Sequence, residues 1–148
     1  METRSVTKND YDTIVTVIDQ WWGGPTSALA LPIFFYELGK LARVVETDDR
    51  LVGFLFGFLT PETRVGYVHL VGIHPDYRRR GVARLLYEAF EADCRAADCH
   101  QLKAITTHGN DGSVRFHAAL GWDVREAPDY AGPGRSRVIF EKRLQGDG

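Results

Sequence analysis

Sulfur is scarce in this chain. Among 148 residues there are two cysteines, Cys94 and Cys99, and one methionine. The two thiols fall along one expected helix, where they do not face each other as a disulfide requires, and a metal site needs more ligands than they supply. Two reduced thiols and no bound metal are therefore expected, in a cytoplasmic protein. Charge of one sign is also lacking. The 18 Lys and Arg against 20 Asp and Glu leave a net −2, so bulk charge gives no reason to expect a nucleic-acid or anionic-membrane partner. Long apolar runs are missing too. The longest, Leu51 to Leu59, falls far short of the ~20 residues that cross a bilayer. Glu2, Arg4, Lys8, Asp10 and Asp12 interrupt the apolar core that a signal peptide would need at the start. No repeat, low-complexity tract or linker divides the sequence, so residues 1–148 are expected to form one unit.

What is present is the composition of a globule. Hydrophobic residues make up 44% and charged residues 26%, and a domain of this length hides roughly 68–70% of its unfolded surface. Thr3–Thr7 reads as a short strand. Asn9 or Asp10 is placed to cap a helix carrying Tyr11, Ile14, Val15, Val17 and Ile18, which Gly23-Gly24-Pro25 ends. A second helical stretch covers Phe34 to Leu41. The period then changes: Ala42–Thr47 and Arg50–Leu59 flank the turn Asp48-Asp49 as a hairpin. Val65 to Ile73 is the next strand, with strict alternation predicting Tyr67, His69, Val71 and Ile73 on one face. Val82–Ala97 has helical spacing, Gln101–Thr107 reads as a strand, and Ser113–Leu120 as a short helix. Trp122–Arg125 and Arg137–Leu144 are the last strands. This order is a mixed α/β layer with one strand–loop–helix crossover in its middle.

That crossover carries the chemistry. A strand stops at Pro75, Arg78-Arg79-Arg80 follow, and a helix opens at about Gly81. The first amides of a helix lack internal partners and carry partial positive charge, so a diphosphate suits them when the backbone is open to approach. Gly81 has no Cβ to block that approach, Ala83 keeps the next position small, and the arginines add charge. The segment has neither the Gly-Lys-Ser/Thr of a P-loop nor a Gly-x-Gly-x-x-Gly.

At these residues the chain resembles the GNAT superfamily of acetyl-CoA-dependent N-acetyltransferases. Arg78, Gly81 and Ala83 match its Gln/Arg-x-x-Gly-x-Gly/Ala signature, behind a strand ending Ile73-His74-Pro75. Downstream, Asn110, Ser113 and Phe116-His117-Ala118-Ala119-Leu120-Gly121-Trp122 are similar to its Asn-x-x-(Ala/Ser)-x-x-Phe-Tyr-x-x-Leu-Gly-Phe segment. The resemblance implies a central mixed, twisted sheet of about six or seven strands flanked by about four helices, with two splayed parallel strands at its middle. It implies acetyl-CoA as donor, its pantetheine running along Val71, Gly72 and Ile73 like an added half-strand. The diphosphate would lie on the amides from Arg79 through Arg80, Gly81, Val82 and Ala83 to Arg84, with Arg78, Asn110 and Ser113 nearby. An amide near Val71, freed by the splay, would polarise the thioester carbonyl.

The chain departs from the family pattern at two places. His117 stands where the family commonly has the Tyr that protonates the leaving thiolate; it is either the acid or a packing residue at the cofactor's edge. The carboxylate that many relatives carry on the central strand is absent, which leaves His69 and Tyr67 as candidate bases, with a structural role for His69 equally open. In the family the acceptor lies against the N-terminal helices and the last loop. Here these offer Trp22, Phe34, Glu37, Asp129 and Tyr130: aromatic faces for a cationic amine, about 0.5–2 kcal/mol per good contact, and carboxylates to grip it. At least one of Trp21 and Trp22 is expected to be core packing. The expected function is transfer of acetyl to an amine of a small molecule or of a peptide or protein. A non-catalytic acyl-CoA-binding module is the alternative. The resemblance leaves both a monomer and a homodimer joined at a sheet edge open.

Overall fold

The computed structural model describes residues 1–22 and 29–144, Trp22 by its backbone alone. The expected helix stop at Gly23-Gly24-Pro25 and the Trp22 side chain lie outside the described residues. Seven strands form one sheet: β1 Glu2–Ser5, β2 Arg43–Thr47, β3 Arg50–Thr60, β4 Val65–Ile73, β5 Gln101–Thr107, β6 Asp123–Ala127 and β7 Arg137–Arg143. Their spatial order is β1-β2-β3-β4-β5-β7-β6. Among the described strands only the β4–β5 pair is parallel. Among the described residues four α-helices accompany the sheet, α1 Lys8–Trp22, α2 Ile33–Tyr36, α3 Val82–Ala96 and α4 Asp111–Ala119, with a 3-10 turn at Pro75–Tyr77.

The start of α1 corrects the expected cap. Thr7, not Asn9 or Asp10, caps the helix: its Oγ1 accepts from the Asp10 amide (3.2 Å), and Asp10 Oδ2 accepts from the Thr7 amide (2.7 Å). This reciprocal box needs Thr7 outside the strand, so β1 stops at Ser5. Arg4 bonds both oxygens of Asp10 (2.6 and 3.0 Å) and also reaches Glu46, tying α1 to β1 and β2. Burial pushes the Asp10 carboxyl up, but the bonds from Arg4 and Thr7 outweigh it and hold it below its ordinary value. The second helix is four residues long rather than the expected Phe34 to Leu41. Leu38 N reaches back to Ile33 O (2.9 Å), which widens and ends the coil.

The sheet separates two apolar layers. On one side Val82, Leu86, Phe90 and Cys94 of α3 pack on Leu55, Leu102 and Phe140. On the other, Tyr11, Ile14, Ile18 and Trp21 of α1 pack on Val44, Phe54 and Phe56. Trp21 is core, stacked on Phe54 at 5.9 Å. Cys94 and Cys99 are free and buried, and burial pushes both thiols up, away from the reactive thiolate. Among the described residues no helix is long and apolar enough to cross a membrane.

Two features of β4 position the site. Phe56 opposes Leu70 and Gly57 opposes Val68, so His69 has no opposite residue on β3. This bulge resets the alternation. Val68 and Val71 both point to the α3 layer, whereas Leu70 points to the α1 layer and Tyr67 opposes Phe58. The expectation that Val71 and Ile73 share a face with Tyr67 and His69 is thus corrected: Val71 and Ile73 pack on the α3 layer, whereas Tyr67 and His69 stay together on the opposite side, against Phe58 and Phe34. Secondly, β4 pairs with β5 only from Val65↔Gln101 to Val68↔Ala104. Beyond that point β5 continues with β7, β4 continues with β3, and the two strands part.

Candidate active site

The parting strands open a cleft of about 520 Å³. Its β4 wall runs from Tyr67 to Val71 and its β5 wall from Ala104 to Thr107. Tyr87 of α3, Asn110 just before α4, and Ser113 and His117 of α4 line the α3 side, while Leu29 and Arg137 complete the rim. Past Val68 the β5-facing edge of β4 has no strand partner among the described residues, and backbone groups in that state call for a ligand or water.

The arginine loop and the start of α3 lie beyond this enclosed part, beside the end of β4. There the side chains of Val82 and Ile73 meet over Gly53. The first backbone bond of α3 is Leu85 N to Gly81 O (3.0 Å), which leaves the amides of Val82, Ala83 and Arg84 without intrahelical acceptors. Gly81 has φ +81°, where side chains are strained, and a Cβ placed on it would project into open space. An anion therefore has free access to these amides. Arg79 also adopts positive φ and is exposed. The other basic groups are partly engaged. Arg78 donates to the Trp21 carbonyl at the end of α1, Arg80 lies over the Tyr77 ring at 5.3 Å, and Arg84 pairs with Glu88 at 3.9 Å. Gly72 is glycine for a different reason: a Cβ there would lie 2.4 Å from Phe54 Cε1. The site thus fits a diphosphate ligand through its backbone more than through its arginines.

On the opposite wall, Asn110 caps α4. Its Oδ1 accepts from Ser113 N (3.3 Å) and its Nδ2 donates to Thr106 Oγ1 (3.0 Å), which fixes the helix to β5. His117, one turn on, is 4% exposed and stacks on Phe140 at 3.9 Å. Its Nδ1–H donates to the Ser113 carbonyl (2.8 Å), so Nε2 is the acceptor for the Tyr87 hydroxyl (2.9 Å). Burial lowers the His117 pKa, partly countered by Ser113, and raises that of Tyr87. The pair is neutral and both ring nitrogens are engaged. Tyr87 was not expected from the sequence. Its place one turn after Ala83 on the α3 face is the only signal it gives.

His69, the bulge residue, differs from His117. Its Nε2–H donates to the Leu29 carbonyl (2.8 Å) and its ring stacks on Phe34 at 3.8 Å. Nδ1 has no hydrogen-bond partner among the described residues, and burial lowers the pKa below the ordinary value despite Leu29. Tyr67 beside it is pushed up by burial and then by Tyr130. The remaining expected acceptor residues are not gathered in the cleft. Glu37 is exposed at the end of α2. Asp129 Oδ1 accepts from Gly134 N (2.6 Å) and shapes its own loop. Phe34 backs His69 rather than facing the opening, and Tyr130 is exposed beneath Lys103 Nζ at 5.3 Å.

A model of the acetyltransferase (GNAT) family matches residues 11–122, more than half of the chain. An acetyltransferase of Sodalis glossinidius is 23% identical over 132 residues, covering 86% of this chain and 90% of that protein. Among solved structures, Ard1 from Thermoplasma volcanium is similar with a TM-score of 0.80 at 20% identity, covering 98% of each chain. An acetyltransferase from Salmonella typhimurium, solved with its cofactor acetyl-CoA, has a TM-score of 0.75 at 17% identity, over 99% of this chain and 95% of that one.

Proposed function

The chain belongs to the GNAT acetyltransferase family, and on that premise we propose that it acetylates a primary amine by direct attack, donor and acceptor sharing one cleft. The amine is that of a small molecule or of an exposed peptide or protein. The donor is acetyl-CoA, which supplies an acetyl thioester when bound. The observation that carries the reading is the run of unpartnered backbone in one place: the free edge of β4 past Val68, leading to the free amides at the start of α3. In this reading Val71 to Ile73 orient the pantetheine and the amides of Val82 to Arg84 hold the diphosphate, with Asn110 and Ser113 on the far wall. Holding two reactants in one geometry is itself a large contribution, with effective molarities of about 10⁵–10⁸ M in favourable cases.

Proton handling falls to His69 and the Tyr87–His117 pair. His69 is held neutral by burial and has Nδ1 open, so it is the base that keeps the attacking amine uncharged. His117 has no free N–H to give, because Nδ1–H serves Ser113. We therefore assign protonation of the leaving thiolate to the Tyr87 hydroxyl, which lines the cleft and is oriented by His117 Nε2, and the developing oxyanion to an amide near Val71. Two measurements test the function: saturable acetyl-CoA binding by calorimetry, and thiol release with a broad amine panel. Binding with amine-dependent release supports the enzyme. Binding without release across the panel supports an acyl-CoA-binding module instead, and absence of binding overturns both.

A further inference from the structure

The acceptor side of the cleft carries a cation with no anion to meet it. Leu102 and Ala104 of β5 pack in the α3 layer, so Lys103, Ile105 and Thr107 face the other way. Arg137 of β7 lies directly opposite Thr107 and shares that face. It is partly buried and lines the cleft. Its Nη1–H donates to the carbonyl of its own neighbour Ser136 (2.9 Å), and no carboxylate lies within ion-pair distance among the described residues. Other arginines of comparable burial are matched: Arg4 with Asp10 and Glu46, and Arg43 with Asp93 at 2.7 Å. Among the described lining residues there is no Asp or Glu, and the two histidines are neutral. Lys103, over Tyr130, shares this face but has Glu141 directly opposite it, a carboxylate that also pairs with Arg125, so Arg137 is the cation left without a carboxylate.

A guanidinium drawn partly out of water without a counter-charge is costly unless a ligand supplies one, and its planar fork matches a carboxylate in two parallel bonds. We infer that Arg137 is the specificity residue for the acceptor and that the acceptor is an amine that also bears a carboxylate, an amino acid or a short peptide with its carboxylate near the reacting amine. The inference rests on the acetyl-transfer reading and narrows its substrate class.

The test compares the standard L-amino acids with their α-amides and their α-aminophosphonate counterparts, reading thiol release and binding to the CoA-loaded protein. The carboxylate forms should exceed the amides by about 10- to 100-fold in kcat/KM, and by more than the phosphonates. Arg137→Gln should abolish that preference by lowering the carboxylate value alone, with acetyl-CoA affinity and the thermal midpoint unchanged, and Arg137→Lys should restore part of it. Equal use or equal binding of carboxylates and amides overturns the inference while leaving acetyl transfer intact. So does a loss of acetyl-CoA affinity in Arg137→Gln, which would place the guanidinium at the donor. A phosphonate preference replaces carboxylate by phosphate and likewise overturns it. Failure of acetyl-CoA to bind the native protein is the separate result that removes the underlying reading.

Discussion

The two edges of β4 face different fates. Toward β3 the ladder runs from Thr60↔Val65 to Gly53↔Ile73, broken only by the bulge at His69. Toward β5 it stops at Val68↔Ala104. One edge spends its backbone groups on the fold and the other keeps them for a ligand. The same strand therefore contributes stability along one side and binding along the other, and substitutions on the two sides should separate these quantities.

The largest expected effect lies on the closed side. Leu55 opposes Val71 and is fully buried. Leu55→Ala should cost about 2–5 kcal/mol in denaturant unfolding, with acetyl-CoA affinity nearly unchanged at a temperature where the protein remains folded. A comparable loss of affinity would show that the two edges are not independent. Next is Gly81→Val at the mouth of the open side. It forces a β-branched residue to φ +81° and fills the empty space before the amides, so calorimetry should find acetyl-CoA binding weaker by about 10- to 100-fold, the upper end including backbone strain. Unchanged affinity would remove these amides from the donor site.

His117→Phe sharpens the account of the far wall. The new ring can keep the stack on Phe140 but leaves the Tyr87 hydroxyl without its acceptor. Turnover should fall about tenfold or more while acetyl-CoA affinity changes little; equal losses would make His117 a packing residue. The smallest effect is in pH. The folded pKa values of His69 and His117 are both depressed, so below about 6.5 the unfolded chain takes up protons that the native one does not. Stability should be flat above that value and decline as pH falls below it, through the folded values. His117→Phe should flatten part of the slope seen in urea titrations between pH 7 and 5.

Much of the scaffold can be read from local pattern. The segment Gln101–Thr107, ending in the β-branched Ile105-Thr106-Thr107, predicts β5 to its ends, and Gly81 followed by an amphipathic stretch predicts α3 to within a residue. The turn at Asp48-Asp49 is confirmed by positive φ at both positions. Where pattern fails, the cause is specific. A bulge adds a residue without changing composition, so alternation across Val65–Ile73 cannot show that Val71 and Ile73 turn away from His69. The apolar run after Pro32 has the content of a longer helix, but the wide turn from Leu38 back to Ile33 ends it. The cradle at Gly81 is legible because its residues are contiguous. Tyr87 and Arg137 are not, since what brings them to the opening is the packing of α3 against α4 and the β5–β7 register.

The central claim is that the free edge of β4 and the first amides of α3 hold the donor. Diffraction from crystals soaked with acetyl-CoA tests it most directly. The account predicts pantetheine alongside Val71 to Ile73 and the diphosphate against Val82 to Arg84. A gap filled by the protein's own side chains, or a donor seated elsewhere, would contradict it.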